Sequence, residues 1–370
     1  MLSLLPALAL AALSALWSPT QAPEEASAAS PMFVLVSFDA TPRGDVPAEE
    51  YHFMQFLKRL RAAAPEGHVG PEPSFTLFFN TGLLQLPRTW SPGPESPWQG
   101  DERWRAWLKH PEQPPSRVIG HAPNPDAILT SVETLFRIQD EGVELASHGV
   151  QHQNGKGWSR AQWEAEFREH ARILALHDLP TPAGFRAPFL KTSLPGQAQL
   201  KDAMFQVMVD YGMRYDSSKV GPIAPRWPSR IEGTNIWEVE IPMYEGAKRP
   251  TLLFGPSAMG KWGLFYLLRD EFERRYHGSR APLIYGGHGE FVDTVERFLI
   301  SVCYQPDVRC VTYSEFVRYL DRRADGVAGP QPPLRPLRGE KALVSTRTEL
   351  TQVTRACDFA GRWLPLRCSR

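Results

Sequence analysis

Residues 33–40 read FVLVSFDA, an apolar run that ends on a single carboxylate, Asp39, just before a turn beginning at Ala40. The run has the composition of a buried strand. Strand ends in open α/β sheets and barrels collect catalytic groups, because several loops converge there over a rigid floor. One Asp at such a place can be a base, a ligand or a turn residue. The stretches that follow must decide.

Beyond Asp39 the chain alternates between helix-like and strand-like segments. Residues 46–64 carry Phe53, Phe56, Leu57 and Leu60 at helical spacing, and Ser74–Phe79 (SFTLFF) reads as a second strand. Residues 85–127, rich in Pro, Trp and charge, break the rhythm and read as a long inserted loop. Further helices are expected near residues 130–140, 159–177, 197–211, 263–275, 293–304 and 313–323. Strands are expected near residues 143–146, 184–187, 235–241 and 282–285. This succession predicts an α/β fold with parallel strands and covering helices, an α/β domain or a (β/α) barrel. After Arg323 the chain becomes DGVAGPQPPLRPLRG, so residues 325–370 read as a Pro/Gly-rich linker and a Cys-containing tail.

The chain has 370 residues and is 42% hydrophobic, enough for a sizeable core. Lys plus Arg and Asp plus Glu balance at 41 each. No strong field therefore favours nucleic acid or an anionic membrane surface, and a neutral substrate fits better. Residues 1–22 hold a short apolar stretch followed by small residues and read as a secretory signal peptide, with cleavage as late as residue 29. An uncleaved anchor is the alternative, although the stretch is short for a membrane span. A secreted, periplasmic or cell-surface location follows. Cys303, Cys310, Cys357 and Cys368 are an even set compatible with disulfides in such a compartment, Cys303 with Cys310 being the simplest pairing by proximity.

Four short stretches stand at or just after expected strands: SFDA (37–40), SHGVQH (147–152), GFRAPF (184–189) and YGGHGE (285–290). If those strands run parallel, Asp39, His148, His152, Arg186 and His288 meet at one mouth. His148 and His152, four apart, would share one face of a helical turn and suit a divalent metal. Arg186, flanked by apolar residues, needs a carboxylate, and Asp39 is the natural partner. Pro188 would stiffen the strand exit and point the Phe189 backbone N–H into the mouth. His288, among glycines, suits a general acid.

In this order the motifs resemble the polysaccharide deacetylases of the NodB-homology class, carbohydrate esterase family four. WSRAQWEAEFREHARIL, GFRAPFLKTS, YGMRYDSSKV and APLIYGGHGEF look like its chitin-deacetylase-like branch, and the resemblance covers roughly residues 33–322. It implies a distorted (β/α) barrel with a C-terminal extension, and an exported metal-dependent hydrolase that removes acetyl groups from an N-acetylated glycan. By the same resemblance Asp39 matches the catalytic base and Arg186 the residue that holds it. His148 and His152 match metal ligands, commonly for zinc, His288 matches the general acid, and the Phe189 amide matches the oxyanion contact. Where the family carries a second Asp as metal ligand, this chain has Ala40. A catalytically silent, glycan-binding protein is therefore the alternative reading. Trp90, Trp98, Trp104 and Trp107 in the insert are candidates for stacking on sugar rings.

Overall fold

The computed structural model describes residues 31–86, 121–190, 192, 198–244, 251–252 and 260–324. The expected signal peptide, the four insert tryptophans, Cys357, Cys368 and the tail lie outside the described residues.

In chain order the strands are β1 (Met32–Asp39), β2 (Thr76–Phe79), β3 (Glu144–Ser147), β4 (Gly184–Phe185), β5 (Tyr215–Asp216) and β6 (Val220–Pro222). They continue with β7 (Ser229–Arg230), β8 (Trp237–Glu238), β9 (Ile241–Tyr244), β10 (Thr251–Leu252), β11 (Leu283–Gly287) and β12 (Val308–Cys310). The helices are α1 (His52–Ala62), α2 (Pro125–Asp140), α3 (Arg160–Leu176), α4 (Ala198–Asp210), α5 (Gly260–Tyr276), α6 (Val292–Val302) and α7 (Tyr313–Ala324). The main sheet runs β11-β1-β2-β3-β4-β5-β8-β7, with β12 beside the start of β1. Every pairing in it is parallel except that of β7 with β8. It curls as a half-barrel, and β6, β9 and β10 form a second, small sheet.

Residues of β1 alternate between two cores, as a pleated strand requires. Met32, Val34, Val36 and Phe38 join the cluster under the covering helices, where Phe53, Phe56, Leu57 and Leu60 of α1 also sit. Phe33 and Leu35 point the other way, into an inner cluster with Phe78, Ala146, Tyr215, Trp237 and Ile284. Burying each such phenylalanine contributes about 1.5–3 kcal/mol. Phe316, Val317 and Leu320 of α7 complete the inner cluster and close the floor of the barrel. Along that inner face β1 reads Phe33, Leu35, Ser37, Asp39, so it passes from apolar floor to polar mouth.

Several expectations need correction. The helix expected over 46–64 is a 3-10 turn at Ala48–Glu50 followed by α1, because Tyr51 takes an extended conformation between them. The insert ends earlier than 127: Asn124 caps α2 by accepting from the Ala127 N–H, and Pro125 opens the helix. The strand expected over 235–241 is two. β8 pairs with β5, and beyond it the Ile241 N–H donates to the Lys219 carbonyl, so the chain changes partner and enters the second sheet as β9. Helix α3 begins where expected, with Ser159 and Gln162 forming a capping box. Cys303 and Cys310 are disulfide-bonded, with Cα atoms 5.5 Å apart.

Candidate active site

Asp39 is the last residue of β1, and its side chain is buried with that of Arg186, which lies one residue past β4. Arg186 Nη1 donates to Asp39 Oδ1 at 2.6 Å. The rest of the guanidinium is also bound: Nη2 donates to the hydroxyls of Ser37 (2.8 Å), Ser217 (3.1 Å) and Tyr313 (3.3 Å), and Nε donates to the Ser217 carbonyl (3.3 Å). Its carbon lies 3.9 Å from the centroid of the Phe78 ring, a cation–π contact. A buried guanidinium needs all of this, since an unpaired charge there costs several kcal/mol. Ser37, Ser217 and Tyr313 were not singled out from the sequence. Ser37 carried a signal, because it lies two before Asp39 and shares its face of β1.

The second carboxylate oxygen, Oδ2, lies 3.6 Å from His148 Nε2. Burial alone would raise the Asp39 carboxyl, but Arg186, followed by His148 and His288, outweighs it and holds the group below the usual carboxylate range. His288, half-buried just past β11, lies at the same mouth, because β11 runs parallel to β1 with Gly287 opposite Phe38. Asp39 is thus a carboxylate fixed by one oxygen and presented by the other.

His148 follows β3, and its Nδ1 donates to the Arg186 carbonyl at 2.8 Å. The proton on Nδ1 leaves the Nε2 lone pair facing Asp39. Burial pushes this imidazole down to about 4, against the pull of Asp39, so it is neutral near pH 7. The rings of His148 and His152 lie 5.0 Å apart. They are not on a helical turn, contrary to the spacing argument. The chain turns at Gly149 (φ 76°) and reaches His152 in the left-handed region (φ 55°).

Phe189 and Leu190 are also left-handed, with φ of 57° and 55°. Such conformations in large side chains are strained and collect at functional sites. The Phe189 ring packs against His152 with centroids 4.6 Å apart, which puts its backbone at the mouth. Asp216 lies deeper: its carboxylate accepts from the Ser218 hydroxyl, which in turn accepts from the Ala187 N–H at 2.8 Å. This chain of bonds fixes the backbone between Arg186 and Phe189.

Do these residues fit a divalent metal? His148 Nε2 is a buried nitrogen without a hydrogen-bond partner, in the tautomer a ligand needs, and His152 stands beside it. Two imidazoles suit zinc or a similar borderline cation. The third place is different: Ala40 carries only a methyl, packed against the outer apolar cluster. Among the described residues no group of three or more His, Cys, Asp or Glu is arranged to hold a metal.

Comparison with known proteins bears out the resemblance carried by the motifs. Residues 118–215 match the polysaccharide deacetylase family, a span that includes His148, His152, Arg186 and Phe189. Over 198 residues the chain is 24% identical to chitin deacetylase 8 of Bombyx mori, covering 45% of this chain and 50% of that protein. The chain thus matches about half the length of this curated relative. Among solved structures it is similar to a probable polysaccharide deacetylase from Pseudomonas aeruginosa PAO1 (15% identity, TM-score 0.48, 78% of this chain and 91% of that chain). It is also similar to a family 4 carbohydrate esterase from Streptomyces lividans (10% identity, TM-score 0.38, 76% and 92%). A third similar structure is a family 4 pseudoenzyme from Bacillus anthracis (10% identity, TM-score 0.37, 78% and 66%).

Proposed function

We propose that this chain is an exported deacetylase that hydrolyses the N-acetyl amide of an amino-sugar polysaccharide, of chitin, peptidoglycan or exopolysaccharide type, to a free amine and acetate. The observation that carries the reading is the carboxylate of Asp39, held ionised by Arg186 at the mouth of a parallel barrel with its free edge toward His148. The Cys303–Cys310 disulfide supports an oxidising compartment.

In this reading Asp39 takes a proton from the water that attacks the acetyl carbonyl carbon. Arg186 keeps Oδ1 occupied, so the proton goes to Oδ2. The Phe189 N–H stabilises the oxyanion that develops on the carbonyl oxygen. His288 gives its proton to the departing nitrogen as the C–N bond breaks, leaving acetate and a glucosamine-type amine. His148 and His152 would hold a divalent cation, most simply zinc, which when bound polarises the carbonyl and acidifies water. Trp90, Trp98, Trp104 and Trp107 remain candidates for stacking on the neighbouring sugars.

Ala40 favours a second reading, a glycan-binding protein of the same fold that no longer turns over, because an anionic ligand is missing from the metal site. One experiment separates the two. Purified protein is analysed for metal, and acetate release is measured on N-acetylglucosamine oligomers beside Asp39→Asn and His148→Ala. Release that both variants abolish establishes the enzyme. Oligomer binding with neither metal nor acetate establishes the silent form.

A further inference from the structure

The histidine pair brackets a short turn, Gly149–Gln151, whose Val150 and Gln151 side chains are buried and whose backbone is held by neighbouring elements. Its backbone bonds can be followed one by one. The His148 carbonyl accepts from the Asn80 side chain, and the Gly149 N–H donates to the Ser147 hydroxyl at 3.2 Å. The Gly149 and Val150 carbonyls accept from the N–H groups of Thr81 (3.2 Å) and Gly82 (2.8 Å). The Val150 N–H donates to Glu166 Oε1 at 2.6 Å.

Glu166 belongs to α3 and is only 2% exposed. A carboxylate that deep is costly unless a specific bond requires it. His170, one turn along the same face and 1% exposed, shares a hydrogen bond of 3.1 Å with the hydroxyl of Thr81, whose own N–H donates to the Gly149 carbonyl. Gly149 itself leaves room for the clamp: a Cβ there would lie 2.7 Å from Glu166 Oε1. Glu166 therefore grips the turn at Val150 from the helix side, and His170 braces it through Thr81, which with Asn80 and Gly82 holds the other side.

We propose that Glu166 and His170 are positioning residues that hold the Gly149–Val150 turn, and through it the imidazoles of His148 and His152, in the geometry that binds a divalent cation. Neither touches the reacting atoms. The proposal rests on the deacetylase reading for its consequence in metal binding, but its structural core does not. Outer-shell groups that orient metal ligands typically change metal affinity by about 10–100-fold when removed, which sets the scale expected here.

The test uses the full chain as wild type, Glu166→Gln, Glu166→Ala and His170→Leu, at a temperature where each is folded. Two readouts are taken: the imidazole 15N resonances of His148 and His152 with Val150 amide exchange in metal-free protein, and the zinc dissociation constant by competition with a chelator. Glu166→Ala is expected to shift both imidazoles, speed Val150 exchange at least about tenfold and weaken zinc by about 10–100-fold. Glu166→Gln, whose amide oxygen can still accept from Val150, should recover zinc affinity to within about threefold of wild type, because the bond rather than the charge does the positioning. If Glu166→Ala does not fold, His170→Leu decides, with shifted imidazoles as the expected result. Imidazole signals and Val150 exchange unchanged in the folded variant overturn the proposal, and so does a shifted turn with undiminished zinc affinity. A wild type that binds no zinc and releases no acetate would fail the deacetylase reading instead. The metal-free resonances would still decide whether Glu166 and His170 hold the turn.

Discussion

The mouth and the floor of the barrel each hold a carboxylate, and the two are solvated in opposite ways. At the mouth Asp39 meets a guanidinium and two imidazoles, which bring it below the usual carboxylate range despite burial. At the floor Glu144 meets neutral donors: the hydroxyls of Tyr215 and Thr76, each at 2.9 Å, the Ser314 amide at 2.9 Å and the Ser314 hydroxyl. Burial raises the Glu144 carboxyl, and these bonds only partly offset it. Between them lie Arg186 and the rings of Tyr215 and Tyr313, whose centroids are 5.4 Å apart. A desolvated acid beside a cation stays ionised and can take a proton, whereas one among hydroxyls serves to hold strands together. The charge state of the carboxylate is thus a matter of neighbours rather than depth.

The comparison breaks most visibly if its cation is removed. Arg186→Met leaves Asp39 buried and uncompensated, and unfolding in urea should show a loss of about 3–5 kcal/mol. The Asp39 carboxyl should rise, and acetate release should disappear with it. Arg186→Lys keeps the charge without the fork that reaches Ser37, Ser217 and Tyr313 together, so it should recover only part of the stability. Wild-type stability in Arg186→Met would mean that burial, not the guanidinium, governs the mouth.

The two ends should also respond to pH in opposite directions. Near the mouth burial pushes His170 down from 6.5 to about 3, so between those values the unfolded chain binds a proton that the folded chain refuses. Stability therefore falls as the pH drops through that window, by at most about 5 kcal/mol from this group. Asp39, depressed in the folded state, adds a further loss only below about 3.8. His170→Asn should flatten the limb between pH 6 and pH 4 in a series of urea midpoints. An unchanged slope would place the acid sensitivity elsewhere.

Much of this arrangement was legible in the sequence, and the gaps have physical causes. FVLVSFD announces a strand by its run of large apolar residues, and the pairing of Arg186 with Asp39 follows from the cost of a lone buried charge. The strands that the sequence did not announce, such as β5, β6, β7 and β12, run for two or three residues, too short for a period to be seen, and exist only through their neighbours in the sheet. Tyr313 reaches Arg186 across 127 positions of chain, which no local pattern encodes. The helical geometry expected of His148 and His152 failed at Gly149, whose positive φ lets the chain turn instead of coil. The grip of Glu166 was hidden for a simpler reason: on a helix a lone Glu looks like a solvated residue.

A smaller effect tests what the mouth lacks. Ala40→Asp adds a carboxylate next to Asp39, where the Ala40 N–H already donates to the Phe78 carbonyl at 3.0 Å and fixes the backbone. Zinc affinity is expected to rise at least about tenfold, equivalent to about 1.4 kcal/mol, because an anionic ligand joins two neutral ones. A large gain in acetate release would favour the silent reading of the natural sequence. Unchanged zinc affinity would mean that the methyl of Ala40, directed at the outer cluster, marks a place from which no side chain reaches the metal.

The smallest effect is expected at the floor, and it completes the contrast. Glu144→Gln keeps the shape, and its amide oxygen can still accept from Thr76 and the Ser314 N–H while its NH2 turns the Tyr215 and Ser314 hydroxyls into acceptors, so near neutral pH the change in stability should be about 1 kcal/mol in either direction. Its sign carries the information. A carboxyl raised in the folded state contributes stability that is complete below its unfolded value of about 4.5 and is lost as the pH rises through the folded one. Gln cannot ionise, so the variant should lack that loss and gain on wild type as the pH climbs above about 4.5. A variant that instead weakens by several kcal/mol, with acetate release falling in step, would show that the floor carboxylate is coupled through Tyr215 and Arg186 to the mouth. The two ends of the barrel would then form a single network.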